Sequence, residues 1–587
     1  MNNSKESQSE IVHKESVVVM ITILFIGGLS LLQIYGFTLL PDEFGYWAHG
    51  ARLIGFDWSE VSALNPYYAF GYGFLLAPLL FLFQNMVWMY RIAIILQFAM
   101  VIGMFFLLRT IFFKLQRNKE LVIIAVTVAL FYPTTLIYAQ MTMSETLLTL
   151  SFLLLVYFVS KYSRTASVIN GSLCVVTAMW LYAVHMRSIA VVIAMLITLI
   201  AVPILRAINR KRADSRRKRK KHSNDLFKFI MIPLLIAVLI IIFIILTRIR
   251  VSYQNSLAEA GLGYDRNVNT YSGQIDRLLQ VFTLNGFGTF LISLLGKWFY
   301  LGISTFGLIY WGIVYFIRRF RKKHDGLSLF LLLSLFGVTT MIAITSAGGY
   351  RADELLYGRY NEFVILPFIV AGIFEIRRTK RLIPGLIIQV LFHLIAFVAV
   401  SEHAAARNLI AVEHHSVIGV GYAFFMANED TYKAFLYAYV IGNIILVLAE
   451  LVMAVVRKRH QRWLYLILVP ELIIAGIAYK NIVYPSNVIA KECVEDLAVL
   501  DDMDLSERRL VSYHMDEMGQ QEDLQFYFLR KPVHVIKNDT AFEAAEIAPT
   551  DIIFFNPYDE IGWELQSKYD VVWLTRQYGI AYQERTQ

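Results

Sequence analysis

Apolar runs recur along most of this chain, and they constrain its fold more than any other feature of the sequence. From Val17 to Tyr479, stretches of about 20 apolar residues follow one another. A helix of about 20 residues crosses the hydrocarbon core of a bilayer, which is roughly 30 Å thick. Only 17% of the 587 residues are charged, whereas a soluble domain carries about 25%. The sequence predicts an α-helical polytopic membrane protein and excludes a soluble enzyme or a secreted disulfide scaffold.

The sequence predicts thirteen membrane-spanning helices of the following bounds: 17–37, 86–108, 120–138, 145–160, 167–185, 188–205, 229–247, 299–317, 327–346, 361–376, 384–400, 434–456 and 464–479. Lys and Arg collect in alternate loops, as the positive-inside rule predicts for loops on the cytoplasmic side. We therefore expect a multi-pass protein of the cell (plasma) membrane with cytoplasmic residues 1–16, a membrane body over 17–480 and an extracytoplasmic segment over 481–587.

The positive charge of the chain is concentrated in these loops. The formal net charge is +9, and the longest basic run extends from Arg206 to Lys228. A binding patch for nucleic acid or anionic lipid is one interpretation of this run, but a topology signal explains it without a partner. We expect membrane lipids and no nucleic acid as partners. The two cysteines, Cys174 in a span and Cys493 in the outer segment, predict neither a disulfide nor a cysteine metal site.

After Pro485 the pattern changes to short apolar strings that alternate with polar helical segments. The strings are RLVSY, PVHVI, DIIFF and DVVWL, and the predicted helices cover 487–503, 516–529, 541–546 and 559–569. This order predicts a small α/β domain with a mainly parallel sheet. The domain has no glycine-rich phosphate fingerprint, so no nucleotide site is expected.

Two adjacent carboxylates, Asp42 and Glu43, follow the first span directly and open an outer loop over 38–85. Aromatic residues, among them Tyr46, surround them in sequence. A carboxylate at a lipid boundary with aromatic walls is suited to act as a general base. A solvated helix cap after Pro41 is the competing interpretation.

The same loop continues as NPYYAFGYGFLLAPLLFLFQN, an apolar stretch broken by Gly and Pro that contains Tyr72. It predicts an amphipathic or re-entrant segment against the membrane surface. In the next outer loop, FYPTTLIYAQMTMSETLL, Glu145 stands at the mouth of a span. Two interpretations of Glu145 remain open: a functional acidic residue at this depth, or an exposed glutamate at the start of a helix.

Cations of the outer face form a second group of candidates. His185 and Arg187 lie in a tight connection between spans, and Arg351, Arg359 and Tyr360 precede a later span. Arginine offers a fixed fork to phosphate oxygens, although single arginines also mark helix ends by snorkelling. Together with the outer carboxylates, these residues predict a site for an anionic lipid head group and a nucleophile.

The histidines near residue 414 raise the question of a metal. Glu413, His414 and His415, with His403, form an acidic and histidine-rich stretch, but adjacent histidines lack the i, i+4 spacing of a helical zinc pair. We expect no required cofactor and no metal ligand, and a divalent metal has no supporting motif.

The order of these motifs resembles that of a known family. An Asp-Glu pair after the first span, a "YxxGYxxLLAPL" stretch, a "Y-x-Q-x-x-x-S-E" element and "YGRYNEFVILPF" before a late span are similar to the GT-C membrane glycosyltransferases. More narrowly, the chain resembles the clan of protein O-mannosyltransferases and lipid A aminoarabinose transferases. The resemblance covers most of the membrane body, and the C-terminal segment is similar only in kind to outer domains of bacterial members.

The resemblance implies a polyprenyl-phosphate-sugar donor and a protein, wall-polymer or lipid acceptor. It implies that Asp42 activates the acceptor with Glu43 beside it, and that Glu145 occupies the second acidic position. It places Arg359 and Tyr360 near the donor phosphate, and Tyr46 and Tyr72 are candidate substrate-binding residues. The implied reaction is a single inverting displacement at the outer face of the membrane.

One departure from the family pattern concerns the donor contact. Where the clan often has a Pro-Pro pair with Lys or His, this chain has Asn65, Pro66, Tyr67 and Tyr68. Arg187 or Lys297 is the candidate replacement for the phosphate contact at that position.

Two other classes of function remain open on the sequence. A lipid or polysaccharide transporter or flippase would also have many spans, but it typically carries charged or helix-breaking residues near the midplane. An O-antigen-type ligase or polymerase would use a lipid-linked donor and a large late outer loop, for which residues 402–432 qualify.

Overall fold

The computed structural model describes residues 2–64, 68–214, 225–258, 271–412, 415–456, 458–513, 515, 519–536 and 547–583. Within these ranges, ten helices are long and apolar enough to cross a membrane by length and composition: His13–Leu31, Met86–Phe113, Ser144–Thr165, Met186–Asn209, Ile232–Leu257, Leu284–Ser304, Gly326–Ser346, Leu382–Ala406, Thr431–Val455 and His460–Leu500. Four shorter apolar helices accompany them: Gly73–Leu82, Val168–Val184, Leu366–Ile376 and His415–Ala427. The prediction of an α-helical membrane protein is confirmed.

The α-helices of the first half are α1 (Asn2–Leu31), α2 (Asp42–Leu53), α3 (Ser59–Ala63), α4 (Gly73–Leu82), α5 (Met86–Phe113), α6 (Lys119–Leu130), α7 (Pro133–Tyr138), α8 (Ser144–Thr165), α9 (Val168–Val184), α10 (Ile189–Asp214), α11 (Asp225–Ala258) and α12 (Tyr271–Gln280). Those of the second half are α13 (Leu284–Ser304), α14 (Leu308–Lys323), α15 (Gly326–Ser346), α16 (Asp353–Leu356), α17 (Leu366–Ile376), α18 (Leu382–Ala406), α19 (Gly421–Ala427), α20 (Thr431–Val455), α21 (Leu468–Ala478), α22 (Tyr484–Leu497), α23 (Gln520–Tyr527) and α24 (Ile561–Gln566).

Two of the thirteen predicted spans each cover two separate α-helices. The predicted span 120–138 consists of α6 and α7, which the turn before Pro133 separates. The predicted span 299–317 begins in α13 and ends in α14, because Phe306 and Gly307 have positive φ angles of 51° and 76° and end the first helix. Hydropathy is continuous across this turn, so an apolar run alone did not reveal it.

The segment between α1 and α5 folds as three short helices. The apolar helix α4 packs against α2, and their backbones approach closely at Gly50 and Gly73. A Cβ added to Gly73 would lie 2.7 Å from the Cβ of His49, and one added to Gly50 would lie 3.2 Å from the backbone oxygen of Gly73. The two glycines therefore allow α4, the predicted re-entrant segment, to lie directly on α2.

The C-terminal residues form a five-stranded sheet of order β2-β1-β3-β5-β4. The strands are β1 (Leu510–Ser512), β2 (Val533–Val535), β3 (Ile552–Phe555), β4 (Val571–Leu574) and β5 (Gly579–Tyr582). The four predicted strands are present. The pairs β1–β2 and β1–β3 are parallel, but β5, which was not predicted, pairs antiparallel with both β3 and β4. The expectation of a mainly parallel sheet is therefore wrong for the half of the sheet that β3, β5 and β4 form.

The predicted helices of this region differ in their bounds. The helix expected over 487–503 is α22, part of a helical run from His460 to Leu500 that passes residue 480 without a break. The other two described helices are shorter than expected, since α23 starts at Gln520 and α24 ends at Gln566. The helix expected over 541–546 lies outside the described residues.

The sheet domain packs on the segment between α1 and α5, and the aromatic side chain of Phe526 lies at the contact. The ring of Phe526 lies 4.3 Å from that of Phe37 and 5.2 Å from that of Trp47, measured between centroids. Trp58 Nε1 also donates a hydrogen bond of 2.8 Å to the backbone oxygen of Leu529. The C-terminal domain and the segment that carries Asp42 are thus joined by a buried contact.

We expect Phe526→Ala to lower the free energy of unfolding by about 3–5 kcal/mol, since it empties a buried aromatic site. Thermal unfolding of the detergent-solubilised protein measures the effect. The control is Trp563→Ala, because Trp563 belongs to the same domain and is 77% exposed. Equal losses in the two variants would show that the Phe526 contact does not support the domain.

Candidate active site

Asp42 is the first residue of α2, and its carboxylate faces a cavity rather than capping the helix. Tyr68 donates a hydrogen bond of 2.7 Å from its hydroxyl to Asp42 Oδ1. The Arg359 guanidinium pairs with Asp42 Oδ2. Gly45 makes this possible, because a Cβ at that position would lie 1.9 Å from the Tyr68 ring. The competing interpretation of Asp42 as a solvated cap does not describe this arrangement.

Arg359 is the centre of the charged network and is only 3% exposed. Its Nη1 pairs with Asp42 and its Nε pairs with Glu145 Oε1. Burial lowers the pKa of Arg359, but Glu145 and Asp42 raise it, and the net result is a pKa well above the ordinary value. Arg359 therefore remains charged between two carboxylates.

His415 completes this network. Its Nε2 lies 2.6 Å from Arg359 Nη1 and 3.9 Å from Asp42 Oδ2. Arginine can only donate, so this contact requires an Nε2 that accepts and carries no proton. A neutral His415 with its proton on Nδ1 fits the geometry.

These residues open on a cavity of about 650 Å³. The residues that line it come from the segment between α1 and α5, the connection between α9 and α10, helices α12 and α15, and the segments around residues 350 and 415: Leu40, Pro41, Asp42, Tyr46, Tyr68, Ala69, His185, Met186, Arg187, Arg277, Ile342, Thr345, Ser346, Gly348, Gly349, Tyr350, Arg351, Glu354, Tyr357, Arg359, Tyr360 and His415. A concave site with a few convergent charged groups is the usual form of a ligand-binding pocket.

Arg187 differs from the other arginines of this cavity. Its guanidinium lies over the Tyr360 ring, 3.4 Å from the centroid, and Tyr360 in turn stacks on Tyr357 at 4.7 Å. In the part of the chain that the structure describes, its buried Nη1 has no hydrogen-bond partner. Arg351, by contrast, pairs with Asp353 at 3.0 Å. Arg187 thus carries an uncommitted donor beside the cavity.

Five of the predicted site residues line the cavity: Asp42, Tyr46, Arg187, Arg359 and Tyr360. The Tyr46 hydroxyl accepts a hydrogen bond of 2.8 Å from Ser144, which fixes one wall. Glu145 does not line the cavity but lies behind Arg359. Its second carboxylate oxygen, Oε2, is buried and has no hydrogen-bond partner among the described residues.

Glu43 is placed away from the cavity and holds the loop together. It is fully buried, and its Oε1 accepts hydrogen bonds from the backbone N–H groups of Thr38 and Leu39 at 2.7 and 2.8 Å. Its Oε2 accepts from Tyr90 and from the backbone and side chain of Thr142, each at 2.5 Å. Burial raises the pKa of Glu43, and these donors oppose that effect. Glu43 thus fixes the backbone at the start of α2, next to Asp42.

Tyr72 and Lys297 also lie outside the lining of the cavity. The Tyr72 hydroxyl accepts from Gln97 at 2.9 Å, and its ring packs on Tyr46. Lys297 is fully buried, and its Nζ donates to the backbone oxygens of Glu354 and Leu355 at 2.6 and 2.9 Å. Of the two candidate replacements for the phosphate contact, only Arg187 therefore faces the cavity.

Tyr68, Tyr357 and His415 were not predicted as contacts of Asp42 or of the cavity. Tyr68 follows Asn65, Pro66 and Tyr67, which lie outside the described residues. The only sequence signal for Tyr68 was its position in an aromatic run. His415 was predicted in the context of a metal. No group of three or more His, Cys, Asp or Glu that could hold a metal occurs among the described residues, and Glu413 and His414 lie outside them.

The sequence matches no protein-family model and no curated protein. The fold is similar to the crystal structure of ArnT from Cupriavidus metallidurans in the apo state, with a TM-score of 0.52, 13% sequence identity and coverage of 96% of this chain and 97% of that one. The structure of the same ArnT bound to undecaprenyl phosphate gives a TM-score of 0.52, 12% identity and coverage of 97% and 98%. The chain therefore has an ArnT-like membrane fold over nearly its whole length.

Proposed function

We propose that this protein is a membrane glycosyltransferase that takes a sugar from a polyprenyl-phosphate donor and transfers it to an acceptor at the outer face of the membrane. The observation that carries the proposal is the cavity of about 650 Å³ in which the Asp42 carboxylate and the uncommitted Arg187 donor are both present. An ArnT with the same fold binds undecaprenyl phosphate, which supports a lipid phosphate as the ligand of Arg187.

The reaction is a single displacement with inversion. An acceptor hydroxyl or amine attacks the anomeric carbon and gives its proton to Asp42. The bond between the anomeric carbon and the phosphate oxygen breaks, and the electron pair stays on the lipid phosphate. Arg187 stabilises the charge that develops there, which is usually the largest catalytic contribution. A double displacement would require a second carboxylate that reaches the sugar about 5 Å from the first. Glu43 is buried against Thr38 and Tyr90, and Glu145 does not line the cavity.

The proposed topology follows from the same site. The N-terminus is cytoplasmic and the sheet domain is extracytoplasmic, so that Asp42 and Arg187 lie at the outer face. The lipid of the donor then occupies the bilayer beside the cavity, while its phosphate and sugar enter between Tyr46 and Tyr360, which line it.

Binding of undecaprenyl phosphate to the purified protein in nanodiscs tests the proposal. Native mass spectrometry or quenching of tryptophan fluorescence measures saturation. We expect saturable binding that weakens in Arg187→Gln. Absence of saturable binding to the intact, folded protein would contradict the proposal.

Lipid transport is a second candidate, and one observation favours it. Glu450 in α20 is fully buried and accepts hydrogen bonds from Trp311 and Gln389 at 2.8 and 2.9 Å. Buried ionisable groups inside membrane helices are typical of transport pathways. Glu450 does not line the cavity that holds Asp42.

Glu145→Gln is expected to lower the rate about tenfold or more and to change its pH dependence. Glutamine at position 145 removes one of the two negative charges that pair with Arg359, so Arg359 stabilises the negative charge of Asp42 more strongly. Asp42 then binds a proton less tightly, so the acidic limb of the pH profile of kcat/KM moves to lower pH while the plateau falls. The pH profile of sugar transfer measures both. A lower rate with an unmoved limb would show that Glu145 does not tune the base.

Gly45→Ala is expected to lower activity about 100-fold without unfolding the protein, because the new Cβ displaces the Tyr68 ring and its hydrogen bond to Asp42. Sugar transfer and thermal unfolding are compared. Gly28→Ala is the matched control, since a Cβ there meets no atom within 4 Å. Unchanged activity in Gly45→Ala would remove Tyr68 from the account of the site.

A further inference from the structure

A second, basic cavity of about 110 Å³ lies between the ends of α8, α10, α14 and α15. Its lining residues are Ser160, Ser163, Arg164, Val202, Leu205, Arg206, Asn209, Arg319, Lys323, His324, Asp325, Gly326 and Leu327. We refer to it below as the basic cavity. None of these residues has a role in the proposed transfer reaction.

The basic cavity lies at the opposite ends of helices that form the candidate active site. Helix α8 begins near Glu145 and reaches the basic cavity at Arg164, and α15 runs from Gly326 in the basic cavity to Ser346 in the active-site cavity. These helices have 22 and 21 residues, which correspond to about 30 Å at a rise of about 1.5 Å per residue. This length equals the thickness of the hydrocarbon core of about 30 Å. The two cavities therefore open at opposite faces of the membrane.

The charge of the basic cavity is strongly positive. Arg164, Arg206, Arg319 and Lys323 line it, whereas Asp325 is the one acidic residue among its lining residues. That carboxylate is already engaged, because Oδ2 pairs with Arg319 Nε at 2.7 Å and Oδ1 accepts from the backbone N–H of Ser328 at 3.0 Å. Four cationic side chains and one carboxylate thus line the same cavity.

The other wall of the basic cavity is apolar and consists of Val202, Leu205 and Leu327. A space of this size equals the volume of roughly four water molecules at about 30 Å³ each, which is enough for a phosphate group. Clusters of Lys and Arg between helices beside an apolar wall are suited to anionic lipid head groups.

We propose that the basic cavity binds the head-group phosphate of an anionic membrane lipid in the leaflet opposite the candidate active site. The guanidinium groups of Arg164 and Arg206 and the Lys323 ammonium surround the phosphate, and the acyl chains continue along the apolar wall. The proposal stands independently of the sugar-transfer function, because no residue of the basic cavity contacts Asp42 or Arg187.

The experiment compares lipid binding to three forms of the full chain in detergent. The first is intact, and the second carries Arg164→Gln, Arg206→Gln and Lys323→Gln. The control carries Arg117→Gln, Arg321→Gln and Lys322→Gln, which removes the same charge from exposed positions outside the basic cavity. Phosphatidylglycerol, phosphatidylcholine and inorganic phosphate are the probes. Native mass spectrometry and thermal unfolding are the two measurements.

We expect the intact protein and the control variant to bind one phosphatidylglycerol in a saturable way, and the cavity variant to bind it about tenfold more weakly or worse. Equal losses in both variants would overturn the proposal in favour of long-range attraction. Equal binding of phosphatidylcholine to the intact protein would overturn it whether or not the variants fold. Stabilisation by inorganic phosphate but not by phosphatidylglycerol would assign the cavity to a soluble phosphate instead.

Discussion

Asp42→Asn is expected to lower the turnover of a polyprenyl-phosphate sugar by about 100- to 10,000-fold, because asparagine cannot take the proton of the attacking acceptor. The amide has nearly the same shape as the carboxylate and still accepts the hydrogen bond of Tyr68. Binding of the lipid phosphate is therefore expected to persist in the variant. Transfer of radiolabelled sugar in nanodiscs, with kcat and KM separated, measures the effect.

The matched control for this substitution is Asp57→Asn. Asp57 lies in the same loop over 38–85, is exposed, and accepts a hydrogen bond of 3.1 Å from the backbone N–H of Ser59. The control is expected to retain full activity. Residual activity of Asp42→Asn comparable to that of the control would contradict the assignment of Asp42 as the base.

Arg187→Gln is expected to lower kcat/KM by about 100- to 1,000-fold, since it removes the donor that stabilises the departing phosphate. Arg187→Lys keeps the charge but loses the planar fork, so an intermediate rate is expected. The two variants together separate charge from geometry. Steady-state kinetics and the affinity for undecaprenyl phosphate are the measurements.

Arg407→Gln serves as the control, because Arg407 is exposed at the end of α18 and does not line the cavity. It is expected to behave as the intact protein does. If Arg187→Gln binds undecaprenyl phosphate as tightly as the control and transfers sugar at the same rate, the phosphate contact must lie elsewhere in the cavity.

The membrane class and the positions of most spans could be predicted, because an apolar run of membrane length is a local property of the sequence. The turn between α13 and α14 could not be derived from hydropathy. Gly307, whose positive φ ends the preceding helix, was the one local signal. Strand β5 was also missed. It is defined by its antiparallel pairing with β3 and β4, which is a tertiary contact that a local sequence pattern does not show.

The candidate site could be predicted only in part from the sequence. Asp42 and Glu43 are adjacent in sequence, but successive residues of a helix point about 100° apart. One carboxylate therefore faces the cavity while the other is buried against Tyr90 and Thr142. No local pattern decides which of them does so.

Ion pairs between residues that are distant in sequence could not be predicted either. The Asp42–Arg359 ion pair joins residues separated by 317 positions, and Glu145 reaches the same guanidinium from a third element. Arg187 and Lys297 were equivalent candidates as isolated cations. Only the fold shows that Lys297 donates to two backbone oxygens while Arg187 faces the cavity.

Sugar transfer by the purified protein is the decisive measurement for the proposed reaction. The intact chain and Asp42→Asn are reconstituted separately with a radiolabelled polyprenyl-phosphate sugar and candidate acceptors, and the label that leaves the lipid is measured. We expect loss of sugar from the lipid with the intact chain and almost none with Asp42→Asn. If the intact chain releases no sugar but moves the lipid between leaflets in proteoliposomes, the protein is a transporter and the proposed reaction is wrong.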